Sequence, residues 1–62
     1  MGHLFQIGDL VVINYPAYRG NVAVIKKTKE YPNGAFLYDV LILETGEQTT
    51  FSESCLKELG NK

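Results

Sequence analysis

The stretch Gly8–Lys27, GDLVVINYPAYRGNVAVIKK, decides how this chain is read. Leu10–Tyr15 is rich in β-branched residues and follows the turn pair Gly8-Asp9, so it reads as a strand. Tyr15-Pro16-Ala17-Tyr18-Arg19-Gly20 reads as a loop, because Pro16 has no ladder donor and Gly20 tolerates positive φ. Asn21–Glu30 is then a second strand, long enough to bend. Two such strands need partners, and the rest of the chain supplies them.

Tyr31-Pro32-Asn33-Gly34 is a tight-turn signal, since Asn-Gly readily adopts hairpin conformations. Ala35–Glu44 reads as a third strand, nearly continuous in apolar character. Thr45-Gly46 makes a second hairpin, and Glu47–Phe51 returns as the fourth strand. Ser52-Glu53-Ser54 suits a single helical or 3-10 turn with Ser52 as N-cap. Cys55–Leu59 is a short final strand before the polar Gly60-Asn61-Lys62. Residues 52–59 are the only helix candidate, and eight residues make two turns at most. The reading is all-β, one domain over 1–62 with its ordered core at about 5–59.

Sixty-two residues lie close to the lower size at which a core holds without staples. Cys55 is the single cysteine, so no internal disulfide forms, and no His/Cys cluster has metal-ligand spacing. A composition that is 45% hydrophobic, with seven aromatics, is too apolar for intrinsic disorder. No run approaches the roughly 18 apolar residues of a membrane helix. The N-terminus also lacks a basic region followed by an apolar one. A soluble, cytoplasmic protein with no membrane partner is expected.

Alternation assigns the core. Val11 and Ile13 share one face of the first strand, Ala23 and Ile25 one face of the second, and Tyr38, Val40 and Ile42 one face of the third. Phe51, Leu56 and Leu59 are expected to close the fold, with Phe5 and Ile7 covering one open end. Asp39 marks the other face of the third strand as the outer one.

Five short strands with one 3-10 turn before the last follow the order of an SH3-like barrel. Gly8-Asp9, Val11, Ile13, Tyr18-Arg19-Gly20, Ala23 and Ile25 further resemble the KOW motif of ribosomal proteins and transcription elongation factors. The resemblance covers residues 7–59 as a pattern and 8–27 in motif detail. It implies a single five-stranded SH3-like barrel and a nucleic-acid or ribonucleoprotein-binding module. The match departs from the family at two positions: Ala23 stands where the signature glycine usually is, and Tyr15 where the loop often has another.

Three groups of residues are candidates for function. Leu10, Val12, Val22, Val24, Leu37, Leu41 and Leu43 cannot all point inward in so small a barrel. Val12, Val22, Val24, Leu37, Leu41 and Leu43 are therefore expected to form an outer patch for self-association or for a protein partner. Tyr15, Tyr18, Arg19 and Tyr31 lie in loops, where aromatics would stack on bases or pack against a proline-rich or methylated-lysine segment. Arg19 with Lys26, Lys27 and Lys29 would track a phosphate backbone in the nucleic-acid reading. The charge weighs against that reading. The net charge is −1, with a balance of +2 over residues 1–31 and −3 over 32–62, whereas duplex binders carry a strong basic excess.

Catalysis finds no support in the residues. His3 sits near the terminus, Cys55 has no histidine partner to lower its pKa, and the glycines punctuate turns rather than cradle a phosphate. No cofactor is implied. The expectation is a non-enzymatic binding module or small accessory subunit acting through protein contacts, with nucleic-acid binding as the alternative.

Overall fold

The apolar alternation of five short segments becomes one antiparallel sheet in a computed structural model that describes residues 5–59. Its strands are β1 (Leu10–Ile13), β2 (Val22–Glu30), β3 (Phe36–Ile42), β4 (Gln48–Ser52) and β5 (Leu56–Glu58), in the order β4-β3-β2-β1-β5. Two 3-10 turns, Pro16–Tyr18 and Glu53–Cys55, lie in the β1–β2 and β4–β5 connections. The expected strands are thus all present, with ends shifted by one or two residues. β1 stops at Ile13 rather than Tyr15 because Pro16 opens a 3-10 turn, although Asn14 still donates its N–H to the Cys55 carbonyl at 2.7 Å. The second turn falls on 53–55 instead of 52–54. Ser52 holds its N-cap position without a side-chain cap bond.

The Asn33-Gly34 turn joins β2 to β3 as its sequence requires. Gly34 has φ of 91° and donates its N–H to the Tyr31 carbonyl at 2.9 Å, while Asn33 Oδ1 accepts from Ala35 N–H at 3.0 Å. Between Ile25 and Lys27 the β2–β3 register slips, leaving Lys26 as a bulge. A bulge bends its strand and reverses the alternation beyond it. Strict alternation would put Lys27 and Lys29 on the same face as Ala23 and Ile25. After the bulge they stand opposite Asp39 and Leu37, on the outer face.

The centre of the inner face is buried. Val11, Ile13, Ala23, Ile25, Tyr38 and Ile42 have no exposure, and Val40, Phe51, Leu56 and Phe5 complete the core. Each large side chain buried in this way contributes about 1.5–3 kcal/mol. No helical layer covers this face among the described residues, so the sheet and its loops cover it themselves. The β1–β2 loop lies against β4, three strands away in the sheet order: Tyr15 and Tyr18 pack on the Phe51 ring at 5.6 and 5.8 Å. That contact is made only if the sheet bends strongly around its core.

Two expected core residues are not in it. Ile7 is 67% exposed, so of the two residues expected to cover that end only Phe5 is buried. Leu59 is 43% exposed because it stands three residues beyond Leu56, and residues an odd number apart along a strand point to opposite faces.

Tyr38, the largest fully buried side chain, ties the N-terminal segment to the β4–β5 connection. Its ring meets Phe5 edge-on at 5.4 Å, and its hydroxyl accepts the Phe5 N–H at 3.4 Å and donates to Glu53 Oε2. Tyr38→Phe keeps the ring and removes both hydroxyl bonds. It is expected to cost about 1–3 kcal/mol in chemical denaturation, the range for stranding buried polar partners.

Candidate functional site

The outer face of the sheet has a simple grid, read from the strand registers. One row crosses it as Leu10, Val24, Leu41 and Gln48, and a second as Lys57, Val12 and Val22. Leu43 extends the second row, its N–H donating to the Val22 carbonyl at 3.0 Å. Leu59 follows Glu58, the partner of Val11, so alternation sets it beside Leu10 on the same face. The two rows form one apolar surface across β5, β1, β2 and β3. Its most open members are Leu43 at 52% exposure, Leu10 at 44% and Leu59 at 43%.

Five of the six residues expected at an interface, Val12, Val22, Val24, Leu41 and Leu43, belong to this surface. Leu37 does not join them. Asp39 lies between Leu37 and Leu41 on the same face of β3, and the row Lys27, Asp39, Thr50 runs between as a polar band. Asp39 anchors that band, accepting the Thr50 hydroxyl at 2.6 Å and pairing with Lys29 Nζ at 3.6 Å. Leu10 and Leu59 are the members the interface expectation lacked. For Leu59 the signal was in the sequence, as its odd spacing from Leu56.

The tyrosines divide between two places. Tyr15 and Tyr18 meet over Phe51, and Arg19 follows them in the same loop. Tyr31 stands at the far end of β2, just before the Asn-Gly turn, so it does not share a site with them. Tyr18 serves the fold itself, since its ring seals the core at Phe51 and its hydroxyl donates to Glu47 Oε2 at 2.8 Å. Tyr15 is left with its ring 47% exposed.

The basic residues are also split. Arg19 precedes β2, whereas Lys26, Lys27 and Lys29 lie beyond its midpoint and Lys29 is paired with Asp39. The structure does not assemble the four into one cationic track. Cys55 is half-buried against the core, its Sγ 3.6 Å from the Ser52 hydroxyl. His3 lies outside the described residues. Among the described residues no group of His, Cys, Asp or Glu is placed to hold a metal ion, and no helix is long and apolar enough to cross a membrane.

Comparison with protein-family models, with curated proteins and with solved structures gives no significant match to this chain. The site therefore rests on its own geometry.

The Tyr18–Glu47 contact makes a pH prediction. The hydrogen bond to Glu47, and then the charge of that carboxylate, raise the Tyr18 pKa above its ordinary value of 10.0. A raised folded pKa means the contact stabilises the fold fully below about pH 10 and is lost as pH climbs through the folded value. Glu47→Gln removes the charge, and Tyr18 is then expected to titrate closer to its ordinary value. An NMR titration that resolves the four tyrosine rings checks this.

Proposed function

We propose that the chain is a small SH3-like barrel that works as a non-enzymatic protein-interaction module, docking through the apolar outer face of β5, β1, β2 and β3. The fold assignment draws support from the strand order β4-β3-β2-β1-β5 and from an inner face buried without a second layer. The β1–β2 loop reaching β4 adds to it. The functional reading is carried by one observation: seven aliphatic side chains on or next to four strands share one outward surface, rimmed by Lys57, Gln48 and Asp39. Within it Leu10, Leu43 and Leu59 are exposed, and Val12, Val22, Val24 and Leu41 are half-buried. The largest apolar patch on a typical monomer spans about 300–600 Å² and is often functional. A patch held to two short rows suits a transient partner better than an obligate one, which buries far more.

The KOW-like nucleic-acid reading draws less support. Lys29 is neutralised by Asp39, Arg19 stands apart from the lysines, and Ala23 is packed between Val11 and Ile42 without exposure. Lys26 and Lys27, exposed at the bulge, are what remains for it.

The two readings separate experimentally. In the protein-contact reading, Leu41→Glu and Leu43→Glu leave circular dichroism unchanged, because both side chains point outward. Each is expected to weaken capture of the partner at least tenfold, about 1.4 kcal/mol. Oligonucleotides, single- or double-stranded, are expected to bind no tighter than about 10⁻⁴ M at about 50 mM salt. Tight low-salt binding that falls steeply with added salt, and disappears in Lys26→Ala/Lys27→Ala, would overturn the proposal.

A further inference from the structure

A sheet ordered β4-β3-β2-β1-β5 has two edges, and they are built differently. β5 is three residues long and carries exposed Lys57 and Glu58. Shortness and charge are how proteins blunt an edge against pairing. β4 is QTTFS: five residues with no charge and no proline, in unbroken register with β3. The β1–β2 loop packs on its Phe51 side chain, but no charge, proline or bulge guards its backbone edge.

The register says which backbone groups of β4 are open. Ile42 donates its N–H to the Glu47 carbonyl at 2.8 Å, which makes those two a hydrogen-bonded pair. Such pairs alternate along an antiparallel ladder, so Thr49 and Phe51 also aim their backbone groups at β3. Gln48, Thr50 and Ser52 aim theirs the other way. No strand lies on that side among the described residues, and Gln48 and Thr50 are exposed.

We propose that this edge is a self-association site whose occupant is β4 of a second copy, paired antiparallel about a two-fold axis at Thr50. In that register every outward N–H and C=O of Gln48, Thr50 and Ser52 gains a partner. Gln48 faces Ser52 of the second copy, Thr49 faces Phe51, and Thr50 faces itself. Thr–Thr and aromatic–β-branched pairs across strands are favourable, and an uncharged strand sets no like charges opposite each other. Asp39, the carboxylate nearest the axis, accepts the Thr50 hydroxyl at 2.6 Å and pairs with Lys29. Glu47 and Glu53 are drawn back onto their own chain by Tyr18 and Tyr38. A shallow open depression lined by Asp39, Gln48, Thr49 and Thr50 leaves room beside the junction. A two-fold axis perpendicular to the sheet also brings the outer faces of both copies to the same side, doubling the apolar surface. The pairing itself uses only backbone groups of β4 and does not depend on what that surface binds.

Sedimentation velocity of the whole chain, up to about 1 mM, tests the proposal. The wild type is expected to double its mass with rising concentration, while the amides of Gln48, Thr50 and Ser52 become slower to exchange hydrogen. Thr50→Lys would place two ammonium groups opposite each other and is expected to stay monomeric. Thr50→Pro deletes an outward N–H that the β3–β4 ladder does not use, so it is expected to keep the fold and lose the dimer. Should Thr50→Pro fail to fold, Thr50→Lys decides alone. A wild type that stays monomeric throughout would overturn the proposal. So would Thr50→Lys dimerising as the wild type does, or association lost in Leu41→Glu and kept in Thr50→Lys.

Discussion

The sheet has no covering layer among the described residues, so it has to bury one of its faces with its own strands and loops. Every other feature of this chain answers to that constraint. β2, the longest strand, carries a bulge at Lys26 that lets it bend. The central inward positions are tightly used, down to Ala23 packed between Val11 and Ile42. The ends of the core are sealed by aromatics: Phe5 over Tyr38 on one side, and Tyr15 with Tyr18 over Phe51 on another. With no disulfide and few residues, the fold has little reserve beyond this burial.

The same constraint leaves a residue of apolar side chains that the core cannot take. On the outer face they are not scattered. Leu10, Val12, Val22, Val24, Leu41, Leu43 and Leu59 occupy two adjacent rows, and the Lys27–Asp39–Thr50 band closes them off from Leu37. That segregation turns an excess of leucine and valine into a surface with a boundary. It also explains why the basic residues give a weaker account of function, since Lys29 is held by Asp39 within the polar band. An exposed ion pair of this kind adds little stability, about 1 kcal/mol at most, but it sets the edge of the patch.

Much of this was legible in the sequence. Turn residues at Gly8, Pro16, Asn33-Gly34 and Gly46 delimit the strands, and period-two alternation names seven of the ten core residues, with Phe51 and Leu56 expected to close the fold and Phe5 to cover an end. What the sequence hid was parity. The bulge at Lys26 reverses inside and outside within β2, and no residue type there announces it. Leu59 was placed with the core because it is leucine, although its spacing from Leu56 put it on the other face. Ile7 failed for a different reason: it lies before β1, where alternation has no hold. Long-range partnerships were the least legible. Tyr38 meets Glu53 through the β3–β4 register, and Tyr18 meets Glu47 only because the bent sheet brings the β1–β2 loop to β4. The loop tyrosines therefore looked like a ligand site when one of them is a seal.

One apolar face of this sheet is closed and the other is open. Methyl NMR of the dilute protein with a soluble paramagnetic relaxation agent tests that division most directly. The methyls of Leu10, Leu41, Leu43 and Leu59 are expected to broaden, while those of Val11, Ile13, Ile25, Val40 and Ile42 stay sharp. Broadening of the inner set, or protection of the outer set in the monomer, would contradict it.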